Sequence, residues 1–476
     1  MQSIKRLPWI LQRTDQNIIF SLKALLSTTT SPKNVELKKW KDIPGPSSLP
    51  VIGQILHFIP GDRFVPGDLY KPTEMTMNDV LYNKYGPIVR IGGFFGLPRM
   101  VYIYDADMVE YILRSEDQLP NRPVFQSIEY YRKHYKKNKH RSTTGTGLVT
   151  ELRSIRRTDN MFDNFRFEIN LWALESVSAV ILGTRLNCFN TDIPDDSPIK
   201  RLVKSVHDVF YMSEELDLKP GLWRFISTPM FKKAMNIYEE QSNLIRYFMK
   251  NSIENLKTQP PKANEEKGVL EKLLEIDENV AINIGRDSLF AGIDTTANVL
   301  ISALHFLATN QDKQNKLREE LKSSEDNNLY LKACIKESLR LLPAVAANIR
   351  KASRDYNIMG YKLPKDMIMV VNHQTLCHLE ENYPKAKEFI PERWIVGKSD
   401  PLHYGNAHKF AYSPFGFGTR SCVGRRIAQV EMEVFLSKII QNFHIEWNGS
   451  PPILKTSVVN YFPGNLNFVL RDIAEK

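Results

Sequence analysis

The segment Pro414–Arg426, with the sequence PFGFGTRSCVGRR, limits what this chain can fold into more than any other stretch. Three glycines lie close to Cys422, and glycine admits positive φ angles and the close approach of another group to the backbone. The residues that follow have the apolar spacing of a helix. A cysteine at a helix N-terminus is expected to have a lowered thiol pKa, because the dipole and the free N–H groups favour the thiolate. The segment therefore predicts either a thiolate that binds iron or a buried structural cysteine in a glycine-rich loop.

Composition excludes several other uses of cysteine. The four cysteines, at positions 188, 334, 377 and 422, are scattered, and no two have the spacing of a zinc site or a disulfide scaffold. The chain of 476 residues is 42% hydrophobic and 25% charged, which is ordinary for a globular protein. We therefore expect a large folded core in a reducing compartment, or in one that is indifferent to disulfides.

The first 41 residues differ from the rest of the chain in their charge. They contain eight Lys or Arg and two acidic residues, so they carry +6 of the net charge of +10. Charged residues interrupt this segment too often for the roughly 18 apolar residues of a membrane span. A basic, hydroxyl-rich and acid-poor N-terminus predicts a mitochondrial presequence over residues 1–41, with an unstructured basic tail as the alternative. The functional domain, residues 42–476, then begins with the stiff segment PGPSSLP.

Periodicity in the remaining sequence predicts a mainly helical fold with a minor β region. Helical spacing dominates from about residue 164 to about residue 321, and Asp105 is placed to cap a helix. Runs typical of strands lie near residues 84–105, 345–372 and 452–470. The basic stretch HYKKNKHRS, residues 134–142, has no nucleic-acid recognition module around it, so we expect a solvated surface and no nucleic-acid partner.

The cysteine segment resembles the haem-binding signature of the cytochromes P450. Phe415, Gly418, Arg420, Cys422 and Gly424 stand at the spacing of that signature. The resemblance implies a cytochrome P450 fold, in which a long central helix crosses the haem and the cysteine loop lies on its proximal side. It also implies that Cys422 is the axial ligand of the iron in haem b, that Arg420 pairs with a propionate, and that Phe415 packs near the thiolate. Gly418 belongs to the same cofactor-binding loop.

A second segment, AGIDTT, lies within the long apolar run INIGRDSLFAGIDTTANVLISALHFLATN. Polar Asp294 and Thr295 inside such a helix are unusual, since threonine there bonds back to a carbonyl one turn away and bends the helix. The resemblance implies that this helix lies on the distal side of the haem and that Asp294 and Thr295 are catalytic, relaying protons to the oxygen substrate. A core polar pair without chemistry is the alternative.

The third segment, KESLR, places Glu337 and Arg340 on one helix face, where they can form an ion pair. Alone, such a pair is most often a surface feature. The resemblance implies instead a buried structural network of Glu337, Arg340 and Arg393, the last from the motif PERW. It further implies that Arg350 contacts a haem propionate.

Four basic residues suggest the partner that supplies electrons. Lys332 and Lys336 share one helix face, and Arg425 and Arg426 follow the cysteine. Mitochondrial members of the family use similar positions to receive an acidic ferredoxin, and complementary charge would speed that encounter. A basic surface without a partner is the alternative. Similarity to insect-type mitochondrial members, together with the presequence, points to the mitochondrial branch.

One departure from the family pattern stands near residue 150. The family has a helix carrying Trp-x-x-x-Arg after a strand like TGTGLVT, and both of those residues help to hold a propionate. Here ELRSIRR follows directly, and no tryptophan lies between Trp40 and Trp172. The sequence therefore predicts that a segment is missing, and Arg153, Arg156 and Arg157 are the candidate substitutes.

Together the resemblances imply a monooxygenase that inserts one oxygen atom from O₂ into a lipophilic steroid, fatty acid or xenobiotic. Electrons would pass from NADPH through ferredoxin reductase and ferredoxin, at the matrix side of the mitochondrial inner membrane, with peripheral membrane contact. The alternative is a non-catalytic or haem-deficient variant of the same fold, because a propionate-binding segment is absent. A self-sufficient fusion enzyme is excluded, since the chain has no flavin segment and no GxGxxG motif.

Overall fold

The computed structural model describes residues 37–473 apart from several internal stretches. The predicted presequence up to residue 36, and positions 135–142 of the basic stretch, therefore lie outside the described residues. The stretches not described are 50–52, 59–66, 68, 70–75, 94–96, 119, 124–125, 135–147, 191–192, 220, 259–266, 324–327 and 474–476.

Helices make up most of the described chain, as the sequence predicts. They are α1 (Met77–Tyr85), α2 (Ala106–Arg114), α3 (Gln126–His134), α4 (Leu148–Ile155), α5 (Phe165–Leu182), α6 (Pro198–Ser213), α7 (Pro229–Thr258), α8 (Val269–Leu274), α9 (Glu278–Thr309), α10 (Gln311–Lys322), α11 (Leu329–Leu341), α12 (His373–Cys377) and α13 (Arg425–Asn442).

The strands form small sheets at the margins of the helical body. One sheet has the order β2-β3-β7-β4, another the order β1-β6-β5, and β8 with β11 and β9 with β10 form antiparallel pairs. Their bounds are β1 (Lys38–Lys39), β2 (Ile88–Ile91), β3 (Met100–Ile103), β4 (Asn348–Lys351), β5 (Tyr356–Ile358), β6 (Tyr361–Leu363), β7 (Ile368–Val371), β8 (Phe443–Trp447), β9 (Lys455–Thr456), β10 (Asn460–Tyr461) and β11 (Phe468–Asp472).

Local sequence explains where several of these elements begin. The carboxylate of Asp105 accepts a hydrogen bond from the backbone N–H of Met108 at 2.8 Å, so α2 begins at the predicted cap. Asp277 caps α9 in the same way, through the N–H of Val280 at 2.9 Å. Strand β1 pairs in parallel with β6, so the folded unit already includes Lys38, inside the range predicted for the presequence.

Helix α9 is the centre of the fold. It packs against α5, α7, α8, α11, α13 and β8. Its composition and 32-residue length would suit a membrane span, but 67% of its most apolar window is buried inside the protein. Its apolar side chains therefore serve the core, and α9 carries Asp294 and Thr295 through the middle of the molecule.

A buried ion network fixes the end of α11. Nε and Nη2 of Arg340 donate to the two carboxylate oxygens of Glu337 at 2.9 and 2.8 Å. Nε of Arg393 donates to Glu337 Oε1 at 3.1 Å, and the indole of Trp394 donates to Oε2 at 3.0 Å. Because Glu337, Arg340 and Arg393 are all 0% exposed, the three charges depend on one another. The spacing Glu-x-x-Arg predicted this pairing.

Glu337→Gln should strongly destabilise the fold, because two buried guanidinium groups lose their counterion. We expect the free energy of unfolding to fall by about 3–5 kcal/mol, measured by urea denaturation. Glu319→Gln, on an exposed position of α10, is the matched control and should change it by about 0.5 kcal/mol or less. A Glu337→Gln protein as stable as the parent would contradict the structural role of the network.

Candidate functional site

The cysteine loop, residues 414–424, closes on itself beside β4. The backbone N–H of Cys422 donates to the carbonyl of Phe415 at 2.8 Å. Gly416 and Gly418 have φ angles of 72° and 70°, which residues with a side chain rarely adopt. A Cβ at Gly416 would stand 3.2 Å from Oδ1 of Asn348, so this glycine also permits close packing against β4. The loop is thus held in one shape, and α13 begins directly after it.

The pKa of the Cys422 thiol differs from the sequence-based expectation. Burial raises this pKa, while a backbone hydrogen bond from Gly424 and the charges of Arg122 and Arg425 lower it by less. The helix N-terminus therefore acts in the predicted direction, but desolvation outweighs it, and the expectation of a lowered thiol pKa was wrong. A desolvated thiol gains from a directly bound cation, which stabilises the thiolate far more than distant charges do.

Three arginines gather beside the cysteine loop, and we call Arg122, Arg350 and Arg420 the arginine cluster. Arg350, on β4, is 2% exposed and forms an ion pair with Glu116. Nε of Arg420 donates to the carbonyl of Pro120 at 2.9 Å. Burial and the nearby charges of Arg350 and Arg420 lower the pKa of Arg122. The cluster thus concentrates positive charge next to Cys422.

Polar atoms of the arginine cluster indicate what it can hold. Nη2 of Arg350 is buried without a hydrogen-bond partner among the described residues. Among the described residues, Glu116 forms an ion pair with Arg350, and its charge also interacts with that of Arg420. A dianionic group such as the two propionates of haem would supply the missing acceptors, since guanidinium groups match carboxylates in geometry. The residues present therefore fit haem, with Cys422 available as the iron ligand.

Arg122 and Glu116 were not predicted from the sequence. Both precede the cysteine loop by about 300 positions, and only tertiary structure brings them to it. The segment EDQLPNRP contains two prolines that stiffen the backbone, but that signal indicates a turn and not a binding site.

Asp294 and Thr295 follow one another on α9 but have different surroundings. Asp294 is buried, and its Oδ1 accepts a hydrogen bond from Nδ2 of Asn170 at 3.2 Å. Thr295 is partly exposed, and its hydroxyl donates to the carbonyl of Ala291 at 2.5 Å. This bond to the preceding turn is the one expected of a threonine inside a helix.

The four predicted docking residues lie at the same end of the molecule as the cysteine loop. Lys336, Arg425 and Arg426 are exposed, and Lys332 is partly exposed. Nζ of Lys336 lies 5.6 Å from the ring centre of Trp394, and the guanidinium of Arg425 lies 5.5 Å from that of Phe415. Tyr412 links these contacts, since its ring packs on Trp394 and its hydroxyl donates to the carbonyl of Lys336 at 3.3 Å.

The three arginines proposed as substitutes near residue 150 are engaged elsewhere. Arg153 and Arg156 both form ion pairs with Asp472, on β11. Arg157 pairs with Asp159 and Asp163, close to it in sequence. Their guanidinium groups therefore stabilise the junction between α4, β11 and the following loop, and the arginine cluster does not include them.

Comparison with known proteins decides the family. The family model described as Cytochrome P450 matches residues 138–463, which is more than half of the chain. The chain belongs to the cytochrome P450 family. It is therefore a monooxygenase with a mainly helical fold, and the family's haem-thiolate chemistry agrees with the fit of haem to Cys422 and the arginine cluster.

Curated relatives of this cytochrome P450 come from insects. Cytochrome P450 CYP12A2 of Musca domestica is 33% identical over 477 residues, covering 86% of this chain and 88% of the relative. Probable cytochrome P450 12c1, mitochondrial, of Drosophila melanogaster is 33% identical and covers 79% and 83%. Probable cytochrome P450 12a5, mitochondrial, of the same species is 30% identical and covers 93% and 92%. This kinship favours the monooxygenase and gives no support to the haem-deficient alternative.

Arg350→Gln should weaken haem binding, because it removes a buried charge from the arginine cluster. We expect roughly tenfold to a hundredfold lower affinity in a hemin titration followed by absorbance. Arg354→Gln, three residues after the end of β4 and exposed, is the control and should bind haem as the parent does. Unchanged affinity in an Arg350→Gln protein with a native circular dichroism spectrum would show that Arg350 does not hold haem.

Proposed function

We propose that this cytochrome P450 is a mitochondrial enzyme that inserts one oxygen atom from O₂ into a C–H bond or double bond of a lipophilic substrate. The substrate class is a steroid, a fatty acid or a xenobiotic. The second oxygen atom leaves as water after two electrons and two protons have been delivered. The observation that carries the proposal is that Cys422 lies in a loop next to three arginines, of which Arg350 forms an ion pair with Glu116.

In this proposal each residue of the site has a defined task toward haem b. Cys422 would hold the haem iron as a thiolate ligand, and the haem would supply the activation of O₂ when bound. Arg350 and Arg420 hold the propionates, as the family resemblance implies, and the charge next to them adds Arg122 to this set. Gly418 keeps the loop in its positive-φ turn, and Phe415 packs beside the thiolate.

Asp294 and Thr295 hold and move protons in the proposed mechanism. Asp294 is a buried carboxylate connected to polar neighbours, and Thr295 is its successor on α9 with a rotatable hydroxyl. A carboxylic acid and an alcohol in sequence can pass protons one at a time to the distal face, because each accepts a proton as it gives one. The bond from Thr295 to Ala291 holds the hydroxyl in a defined position until it is needed.

Electrons are proposed to come from NADPH through ferredoxin reductase and ferredoxin. Lys332, Lys336, Arg425 and Arg426 present positive charge at the end of the molecule that bears Cys422. An acidic ferredoxin at this surface would be brought close to the cysteine loop, and electrostatic attraction would raise its association rate. Two relatives are named as mitochondrial, and a mitochondrial location for this chain would be compatible with a ferredoxin partner.

Residues 1–41 are proposed to be the mitochondrial presequence, and the enzyme is proposed to lie on the matrix side of the inner membrane. Peripheral contact is supported by the apolar connection before α7. Phe225 is 74% exposed, and Leu222 and Ile226 in the same connection also expose much of their surface. Apolar side chains clustered in one loop favour a partner that is itself apolar, such as a lipid surface.

The catalytic domain, residues 42–476, is proposed to lack one helical segment of the family near residue 150. The alignment with the Musca domestica relative spans 477 positions but covers 86% of a chain of 476 residues, so aligned positions exist at which this chain has no residue. Val430 and Val434 on α13 are 60% and 49% exposed, as expected of a helix face without its covering element. Because the propionate contacts lie in the arginine cluster, we expect haem binding to persist without that segment.

Cys422→Ser should abolish the red-shifted absorbance band of the reduced carbon monoxide complex. That band depends on a thiolate ligand, and a serine hydroxyl does not replace it. Cys377→Ser is the control, because this buried thiol donates to the carbonyl of Ala411 and a hydroxyl can do the same. If the spectrum of Cys422→Ser is that of the parent, the iron ligand is another residue.

Charge reversal at the docking surface should slow the association with ferredoxin. We expect Lys336→Glu and Arg426→Glu together to lower the association rate about tenfold or more at low salt, with the difference shrinking as salt rises. Lys362→Glu and Lys365→Glu together, at two exposed positions on and just after β6, are the control for net charge. Stopped-flow reduction by ferredoxin measures the rate, and equal slowing by all the variants would argue against a localised docking site.

A further inference from the structure

A small polar cleft lies on the side of α9 that carries Asp294. It is bordered by α5, α6 and the β9–β10 hairpin. His207, on α6, stands at its mouth with 52% of its side chain exposed, whereas the side chain of Asp294 is 4% exposed. The cleft therefore connects solvent with a buried carboxylate. Its polar lining includes Arg166, Asn170, His207, Asp294, Asn298 and Tyr461.

The side chain of Asp294 lies at the inner end of this polar cleft. Its Oδ1 accepts a hydrogen bond from Asn170, and its Oδ2 is 3.6 Å from Nδ1 of His207. Nδ2 of Asn298 donates to its backbone carbonyl at 2.8 Å, and Arg166 donates to Oδ1 of Asn298 at 2.7 Å. Protons that reach the Asp294 carboxylate from solvent through this cleft must pass these side chains or the water between them.

His207 is the side chain of the cleft that is suited to carry those protons. Amides such as those of Asn170 and Asn298 do not titrate, and a guanidinium such as that of Arg166 keeps its proton at every working pH. Glu214, at the rim, is engaged by Lys455 at 3.0 Å and by the hydroxyl of Ser457. An imidazole changes its charge near neutral pH and can take a proton and release it again.

The groups around His207 make its protonated fraction at neutral pH larger than that of an isolated imidazole. The nearby Asp294 carboxylate raises the pKa of His207, burial and the charge of Arg166 lower it, and the net shift is upward. The imidazolium is therefore abundant below the raised pKa and is lost as pH rises through it. The charged and titratable groups that face the ring are Asp208 and Glu214 on or next to α6, Arg166 on α5, Asp294 on α9, and Lys455 and Tyr461 on the hairpin.

We propose that His207 is the proton inlet of the site and acts through Asp294 as a positioning residue. The imidazolium gives its Nδ1 proton to the Asp294 carboxylate, and the neutral ring then takes a proton from solvent, so charge and protons balance in each cycle. The half-exposed ring rotates to close the 3.6 Å gap to hydrogen-bond distance. This inference rests on the proposed role of Asp294 in proton delivery.

The first test needs no turnover. The pKa of the His207 imidazole is measured by NMR titration of the full chain with labelled histidine, and the resonance is assigned from its loss in His207→Gln. We expect a value above that of an ordinary exposed histidine, and a fall toward the ordinary value in Asp294→Asn. A His207 pKa that does not change in Asp294→Asn would show that the two groups are not coupled and would overturn the inlet.

The second test is the pH profile of product formation with a ferredoxin reductase and ferredoxin system. His207→Gln keeps a hydrogen-bond donor but cannot titrate, so we expect roughly 10²-fold slower product formation at neutral pH. The parent should lose activity as pH rises, and this dependence should be absent in His207→Gln. His444→Gln is the matched control, since His444 is partly exposed on β8, lies 3.3 Å from Glu446 and should leave the profile unchanged.

Comparison with the Asp294→Asn variant distinguishes the proposed role of His207 from the proposed role of Asp294. If Asp294→Asn is inactive while His207→Gln keeps the rate and pH profile of the parent, the inlet is wrong and the proton role of Asp294 stands. If the Asp294→Asn variant turns over like the parent, Asp294 does not deliver protons. The proposal that His207 supplies protons to Asp294 is then wrong as well. Loss of the pH dependence in His207→Gln alone, with His444→Gln unaffected, supports the inlet.

Discussion

Positive charge held beside Cys422 is the constraint on which the rest of the site depends. Arg122, Arg350 and Arg420 come from three distant parts of the chain, and among the described residues Arg350 forms an ion pair with Glu116. Like charges gathered in a partly desolvated place raise the free energy of the protein unless anions join them. A thiolate and two propionates are such anions. The charge of the cluster therefore fits the two propionates of haem.

The surrounding structure keeps this charge in place. Gly416 lets the cysteine loop approach Asn348 on β4, the strand that also carries Arg350. The cysteine loop and Arg350 are therefore held next to the same sheet. The Glu337–Arg340–Arg393 network locks α11, whose exposed Lys336 borders the docking surface beside the loop. On the other side, α9 runs through the core and carries Asp294 to the polar cleft. In the proposed mechanism, electrons arrive at the docking surface and protons arrive at the polar cleft.

Features encoded by nearby residues could be predicted from the sequence, and those created by tertiary packing could not. The cysteine loop, the helix after it, the cap at Asp105 and the pairing of Glu337 with Arg340 follow from spacings of a few residues. The direction of the Cys422 pKa shift was missed because desolvation depends on what packs around the sulfur. His207 and Arg122 were missed for the same reason, since neither belongs to a motif and each meets its partner only after folding.

Competition between haem and its dimethyl ester for the purified full chain tests most directly whether the arginine cluster recognises carboxylates. Esterification removes both propionate charges and leaves the iron and the ring unchanged. Because each charged hydrogen bond contributes about 1.5–3 kcal/mol, we predict that haem binds about a hundredfold tighter or more than the ester. Equal affinities for haem and the ester would contradict the account, because the charge beside Cys422 would then have no part in holding the cofactor.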